Sequence, residues 1–414
     1  MKSENISKNL EELLIFLMQD QLNNESSQLI KEIIHIKKVD NKNRLTKALL
    51  IKNFSNNNKN ISNIYIENII EKLINLDFIE FNEEKNEGII FKINNILNIL
   101  FYPRYCYYIN NKYGPKCLKI IEYLLEFGFY IDNINKFSKN DFSPLIRDGI
   151  IIKTKIEKIK NDDIFNSNSN ELFRINYKIL NEIMFKENII NYYKKYISMN
   201  FQFYELFKKV VYSTDYIYEL KNYEKDNFQL SQTFVDNLNY DKILIKDDTN
   251  NKIILNKEYI KYDLFYNSIE IIVNLFYSPK HLRILKIIQL NQNLNLFQIS
   301  QKACLKYLEV QEILDDLINK LVIVKKIKKE KDGDDFIYLL NDLDENIINL
   351  YKDNIYGIIK NIKYELKDKL KELQGRINQD IVLQYINKYY SLINTFAEIL
   401  NSYNFLFNKN IFYF

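Results

Sequence analysis

Five lysines crowd one short stretch, Lys325, Lys326, Lys328, Lys329 and Lys331, against only Glu330 and Asp332. Phosphate contact is the chemistry such a cluster suits, because ammonium groups that neutralise a nucleic-acid backbone release its condensed counterions. The same residues also read as a solvated hairpin edge whose lysines discourage edge-to-edge pairing. Other residues with reactive side chains are sparse. His35 and His281 are the two histidines, and each reads as a satisfied or solvated side chain near an apolar helix face. Cys106, Cys117 and Cys304 form no CxxC pair and have no histidine at zinc-ligand spacing, so no structural zinc is expected. Asp315-Asp316 reads as a solvated helix face and Asp334-Asp335 as a hairpin turn, not as general acid–base pairs. Phosphate-binding glycine loops and nucleophile elbows are missing, and seven glycines leave little scope for one. The sequence therefore predicts neither catalysis nor a cofactor.

The 414 residues suffice for two to four domains of ordinary size. With 47% hydrophobic and 27% charged residues the composition is globular. Heavy use of Asn, Ile, Lys and Tyr is what an AT-rich coding sequence gives, so polar runs such as 56–60 carry little meaning. Few glycines and prolines argue against a β-sandwich and favour helix. The net charge of +4 balances 58 basic against 54 acidic residues, and only six of the bases are arginines. A self-sufficient DNA reader is not expected from that balance, since base readout favours clustered arginines. No apolar run reaches the ~18 residues of a membrane span, and residues 1–20 mix charges unlike a signal peptide. Unpaired cysteines fit a reducing compartment, so an intracellular protein is expected.

A helix–helix–helix–hairpin pattern recurs four times. In the first copy, 10–52 supplies helices, 61–76 is an amphipathic helix starting near Ser62, and Phe78–Phe81 and Gly88–Phe91 form a hairpin. The second runs from helix 113–127 through a helical stretch ending at Arg147 to Ile150–Ile152. The third comprises a helix over 201–220, another near Ser231–Leu238, and Ile243–Ile245 paired with Ile253–Leu255. The fourth takes helices 281–289, 296–303 and 308–320 into strands 321–327 and 336–340. Such a unit of roughly 70 residues reads as a winged helix. Residues 171–175 read as extended and 177–196 as helical, linking the second unit to the third. After Asn341, apolar residues at spacings of three and four (Ile348, Tyr351, Ile355, Ile358, Ile362, Leu366, then Ile377 to Tyr403 beyond Gly375) predict two long helices. These read as an antiparallel coiled-coil hairpin, a rod for docking. The fold expected is mainly α with small β wings: winged helices at 1–95, 96–165, 166–260 (with the linking strand and helix) and 261–340, and the hairpin at 341–414.

Residues Phe101–Gly128 read FYPRYCYYINNKYGPKCLKIIEYLLEFG. Pro103 should break or kink the preceding helix at Tyr102. Gly114-Pro115 makes a second break, after which Leu118, Ile121, Leu124 and Leu125 share a helix face that Gly128 ends. Proline-arginine-tyrosine, a spacer, tyrosine-glycine and a leucine-rich helix ending in glycine resemble the second winged helix of a known family. That family is the large winged-helix subunits of the RNA polymerase III initiation heterotrimer, the RPC three family. Pro103, Arg104, Tyr105, Tyr113, Gly114, Ile121, Leu124, Leu125 and Gly128 carry the resemblance, and 171–197 is similar to the strand and helix before the family's third winged helix. The resemblance implies a nuclear, non-catalytic polymerase subunit, acting in promoter-directed initiation and open-complex stabilisation at genes for small untranslated RNAs such as tRNA and 5S rRNA. It implies docking on the clamp of the largest subunit, with a smaller winged-helix subunit and an acidic one as partners and the active site elsewhere.

Charge argues against direct DNA reading. A helix entering the major groove is normally basic, yet 61–76 carries net −1, 137–148 net 0, 231–238 net −1 and 308–320 net −3. The first hairpin is also net −3, from Glu80, Glu83, Glu84 and Glu87 against Lys85. Promoter DNA is therefore expected to bind weakly, or only within a complex, with Lys325–Lys331 the best local contact. Tyr102, Tyr105, Tyr107 and Tyr108 are expected to pack against protein and not to stack on bases. The competing reading is a helical scaffold with one terminal winged helix, as in proteasome-lid, signalosome or translation-initiation-factor subunits. It requires helices where hairpins are predicted at 78–91 and 243–255.

Overall fold

Small polar residues start the helices where the sequence supplies them. Ser7 Oγ accepts from the Leu10 amide at 3.1 Å, Thr46 Oγ1 from Leu49 and Ser62 Oγ from Tyr65, each relieving one orphan donor. Asn295 and Gln298 make a reciprocal capping box. The computed structural model describes residues 6–39, 46–58, 61–82, 88–131, 136–155, 171–197, 201–219, 242–247, 252–291, 293–319, 323–330, 333–340, 345–373 and 379–407. The chain is mainly helical with small antiparallel sheets.

The first stretch runs α1 (Lys8–Gln21), α2 (Asn24–Val39), α3 (Lys47–Asn57), α4 (Asn63–Asn75), β1 (Ile79–Asn82), β2 (Gly88–Phe91) and the short α5 (Ile93–Leu97). Then come α6 (Tyr102–Tyr113), α7 (Pro115–Phe127), β3 (Tyr130–Ile131), α8 (Lys139–Arg147), β4 (Ile151–Lys155), β5 (Glu171–Ile175) and α9 (Tyr177–Ile197). These are followed by α10 (Phe201–Tyr212), β6 (Ile217–Glu219), β7 (Leu244–Asp247), β8 (Lys252–Leu255) and α11 (Lys257–Phe276). The last are α12 (Pro279–Leu290), β9 (Leu294–Asn295), α13 (Leu296–Ala303), α14 (Tyr307–Asn319), β10 (Ile323–Glu330), β11 (Gly333–Leu340), α15 (Glu345–Leu373) and α16 (Gln379–Phe407).

Strand forms in all four expected β segments. Ile79 pairs with Phe91, Ile151 with Ile175, Leu244 with Leu255 and Ile323 with Leu340, each antiparallel. In three sheets a short early strand joins as well, giving the orders β3-β5-β4, β6-β8-β7 and β9-β11-β10. The same plan thus recurs three times, with the last strand of each set in the middle. Glu171–Ile175 is not a linker: β5 lies between β3 and β4, with Phe173 opposite both Tyr130 and Lys153, and completes the second sheet. Its closest β partner ends at Lys155, too far back for a tight-turn signal.

Other expectations shift at their ends. Tyr102 has φ −51°, ψ −46°, so Pro103 does not force it out of helical geometry. The preceding residues, Asn98–Phe101, tighten into a 3-10 turn, and Pro103 lies in the first turn of α6, where a missing N–H costs nothing. The helix expected over 201–220 stops at Tyr212. Ser213 Oγ turns back to the Val210 carbonyl at 2.7 Å, Asp215 and Tyr216 take positive φ (55° and 62°), and the chain enters β6. Asp334 and Asp335 sit inside β11, not in a turn. The helix predicted at Ser231–Leu238, together with Lys320, Gly375 and Ile377, lies outside the described residues.

The fold separates into two compact units, Met1–Glu187 with Asp353–Asn401 and Asn188–Lys352 with Ser402–Phe414. In the first unit, Leu13, Leu14, Leu17, Ile30, Ile33, Phe54, Ile70 and Phe78 are buried, each such side chain contributing about 1.5–3 kcal/mol. Tyr130, Phe142 and Phe173 form a second, aromatic centre, with Phe142 and Phe173 4.6 Å apart. From Asp353 onward α15 belongs to this unit: Ser7 Oγ donates to Asp353, Lys360 Nζ reaches Glu12 at 2.6 Å and Lys363 Nζ reaches Asp20 at 2.9 Å. Its buried residues therefore include Tyr356 and Ile359 beside Ile355 and Ile362, wider than a two-helix seam, and Ile358 is only half-buried. In the second unit, Phe265 meets Tyr351 edge-on at 5.2 Å, Ser268 and Tyr403 share a buried hydrogen bond, and Tyr193 donates to Asp263 at 2.7 Å.

Candidate functional site

The resemblance-bearing stretch folds as an internal joint of the first unit. α6 turns Tyr102 and Tyr105 inward, because residues three apart share a helix face. Tyr102 stacks on Tyr177 with the two hydroxyls 3.2 Å apart. Tyr105 is fully buried and donates to Asn181 Oδ1; Asn181 Nδ2 in turn donates to Asn98 Oδ1 at 3.0 Å. The Asn401 amide closes the network on the Asn181 carbonyl at 3.2 Å. Burial pushes the hydroxyls of Tyr102 and Tyr105 well above their ordinary pKa, and that of Tyr177 up to about 12. They stay neutral and serve as hydrogen-bonding groups. Neither Tyr102 nor Tyr105 offers a ring for base stacking; Tyr107, 72% exposed, is the one of the four that faces solvent broadly.

Arg104, on the same helix, forms an ion pair with Glu398 at 3.0 Å. Burial raises the pKa of Glu398, and the guanidinium works against that rise. Its observed partner is thus a carboxylate from α16. Pro103 is exposed at the head of α6, and Cys106 is pushed up to about 11 by burial and the nearby Glu122, so its thiol is not poised as a nucleophile.

The rest of the stretch fixes α7. Gly114, at φ +85°, ends α6 and starts α7. Tyr113 donates to Asp148 Oδ2 at 2.5 Å, and this hydrogen bond holds the Asp148 carboxyl below its usual range. Leu124 and Leu125 are buried, as are Cys117, Ile120 and Ile121. Gly128, at φ +84°, lies so close to the end of α4 that an added Cβ would fall 2.0 Å from the Asn75 carbonyl oxygen. Sequence reasoning missed Asn98, Tyr177, Asn181, Glu398 and Asn401. Their separations of 75 to 294 positions from the residues they hold leave no local signal.

The lysine cluster is placed by the register of β10. Lys325, Lys326, Lys328 and Lys329 stand opposite Tyr338, Ile337, Asp335 and Asp334; Lys331 lies outside the described residues. Two of the four thus stand opposite an aspartate in the backbone register. Strand alternation also splits them, with positions 325 and 329 on one face and 326 and 328 on the other. Counted through the second strand, five lysines meet Glu330, Asp332, Asp334 and Asp335, leaving one net positive charge.

The helix before the last hairpin keeps an acidic outer face. In α14, Glu312, Asp315 and Asp316 are exposed, with His281 Nε2 3.4 Å from Asp316 and Lys280 paired to Glu309. Among the described residues, no group of three or more His, Cys, Asp or Glu gathers as a metal site, and no helix is long and apolar enough to cross a membrane. Comparison of the chain with models of known protein families and with curated proteins finds no match.

Proposed function

We propose that this chain is a non-catalytic subunit of an RNA polymerase III-type enzyme, acting in promoter-directed initiation through winged-helix units that dock on protein. The observation that carries the reading is the strand pairing at 79–91 and 244–255. A helical scaffold with a single terminal winged helix requires helices there. The thrice-repeated sheet order, each set preceded by helices, supports the winged-helix description of the units. The motif that suggested the family folds as a hydrogen-bonded joint built around Tyr105, Arg104 and Gly128, consistent with a structural signature. On this reading the nucleus is the compartment, the clamp of the largest subunit, a smaller winged-helix subunit and an acidic subunit are the partners, and the α15–α16 hairpin contributes to docking. Promoter DNA is met inside the assembly. The paired register of the β10 lysines and the acidic α14 support weak DNA contact by the chain alone. Duplex titration of the purified chain tests this: negligible binding at physiological salt is expected. Tight binding with a steep salt dependence would overturn the docking reading.

A further inference from the structure

One exposed helix face occurs twice. Align α4 and α14 on Ile64 and Leu308, and their buried sides run in step. Ile66, Ile69, Ile70 and Leu73 are buried in the first, Val310, Ile313, Leu314 and Leu317 in the second. The outer sides match too. Each begins with a branched aliphatic residue, Ile64 or Leu308, that is 72% exposed. Three, four and seven positions on stand Glu67, Asn68 and Glu71 in α4, and Gln311, Glu312 and Asp315 in α14, all exposed. Helical periodicity puts each set on one face.

The core side of each helix is already satisfied, so a large aliphatic group held in water at its head adds nothing to folding. Glu312 and Asp315 have no ion-pair partner among the described residues, while the flanking Glu309 and Asp316 are engaged by Lys280 and His281. Carboxylates on this face repel phosphate and attract cations. An apolar anchor beside an acidic strip is complementary to a segment that offers an apolar residue flanked by positive charge. In α4, by contrast, Glu71 is paired with Lys47 at 3.9 Å and Lys72 stands beside it, so the unpaired acidic strip belongs to α14.

We propose that the outer face of α14 binds a lysine- or arginine-rich amphipathic segment of a partner protein, with Leu308 as its apolar anchor. This rests on the docking reading above but not on the identity of the polymerase. The probe is a synthetic amphipathic helix of leucines at i, i+4 spacing with lysines elsewhere, followed by fluorescence anisotropy on the full chain. Its counterpart with glutamates for lysines is the control. The lysine peptide should bind and the glutamate peptide should not. Glu312→Lys with Asp315→Lys should weaken binding about tenfold or more, equivalent to roughly 1.4 kcal/mol. Leu308→Ser should weaken it even at high salt, where the charges are screened. Asp368→Lys with Glu372→Lys, a reversal of equal size at another exposed site, should leave the affinity unchanged. The proposal is overturned if the lysine peptide does not bind, or if the reversal at 368 and 372 weakens it as much as that at 312 and 315. These exposed substitutions are expected to leave the helical circular dichroism intact. A chain that recovers polymerase while its α14 variants bind the peptide like the parent refutes this inference alone. Loss of peptide binding by those variants in a chain that recovers no polymerase refutes the functional reading alone.

Discussion

Replacing Gly128 by alanine should be among the most damaging single-methyl changes in the chain. Gly128 ends α7 with its amide donating to the Leu124 carbonyl at 2.8 Å, and its φ of +84° already disfavours any L side chain. Such geometry costs about 1–2 kcal/mol for a residue with a Cβ. The new methyl would also sit 2.0 Å from Asn75 O, 2.4 Å from Asn75 C and 2.7 Å from Leu76 N. These are backbone atoms, held by the Leu76 and Phe78 amides donating to Lys72 and Leu73 carbonyls, so they cannot swing aside as a side chain would. Forced displacement of packed elements adds about 1–3 kcal/mol. The expected total is therefore about 2–5 kcal/mol, a fall of roughly 2–4 °C in melting temperature for each kcal/mol in a unit of this size. Gly149→Ala is the control: its φ is +72°, but the added methyl meets only Ile179 Cγ1 at 3.9 Å. Thermal and urea unfolding followed by circular dichroism compares the two, and hydrogen exchange reports which segments loosen. Gly128→Ala should cost clearly more and lower protection in both α4 and α7. Equal losses in the two variants, or loosening of α7 alone, would refute the reasoning that the two helix ends meet at this glycine.

Two further tests probe the first unit. Phe173→Ala opens the aromatic centre with Phe142 and Tyr130 and should cost about 3–5 kcal/mol; hydrogen exchange should rise in β3 and β4 together, whereas change confined to 171–175 would contradict the three-stranded sheet. Acid should also loosen the unit, because Glu12 is held below its ordinary 4.5 by the Lys360 hydrogen bond and Asp148 below 3.8 by the Tyr113 hydroxyl. Depressed carboxyl values stabilise the fold above the unfolded pKa, and that contribution disappears as pH falls through the folded one. Glu398, raised by burial, runs the opposite way and gains a proton first. Circular dichroism melts across this range should show Glu12→Gln with a shallower loss below pH 4.5 than the parent; an unchanged profile would dismiss the Glu12–Lys360 contact as a contributor.

Long amphipathic segments and tight hairpins were legible in the sequence because their signals are local. Ser62 before Ile66, Ile69 and Ile70 marks α4, and Gly128 marks the end of α7. Strands of two or three residues were not legible. Tyr130–Ile131, Ile217–Glu219 and Leu294–Asn295 are too short to show a period of two and exist only through pairing with a distant strand. The joint was half legible. Tyr105 and Arg104 stood out by type, but their partners Asn181 and Glu398 come from α9 and α16, brought together by tertiary packing alone. Likewise the spacing in α15 predicted a seam, whereas the ion pairs from Lys360 and Lys363 to α1 explain why its buried face is wider.

The central claim is tested most directly by affinity purification of the tagged full chain, with identification of the proteins that accompany it. The account predicts recovery of the large catalytic subunits of an RNA polymerase that transcribes small untranslated RNA genes. Recovery of the chain alone, or with the subunits of a proteasome-lid, signalosome or translation-initiation assembly, would contradict it.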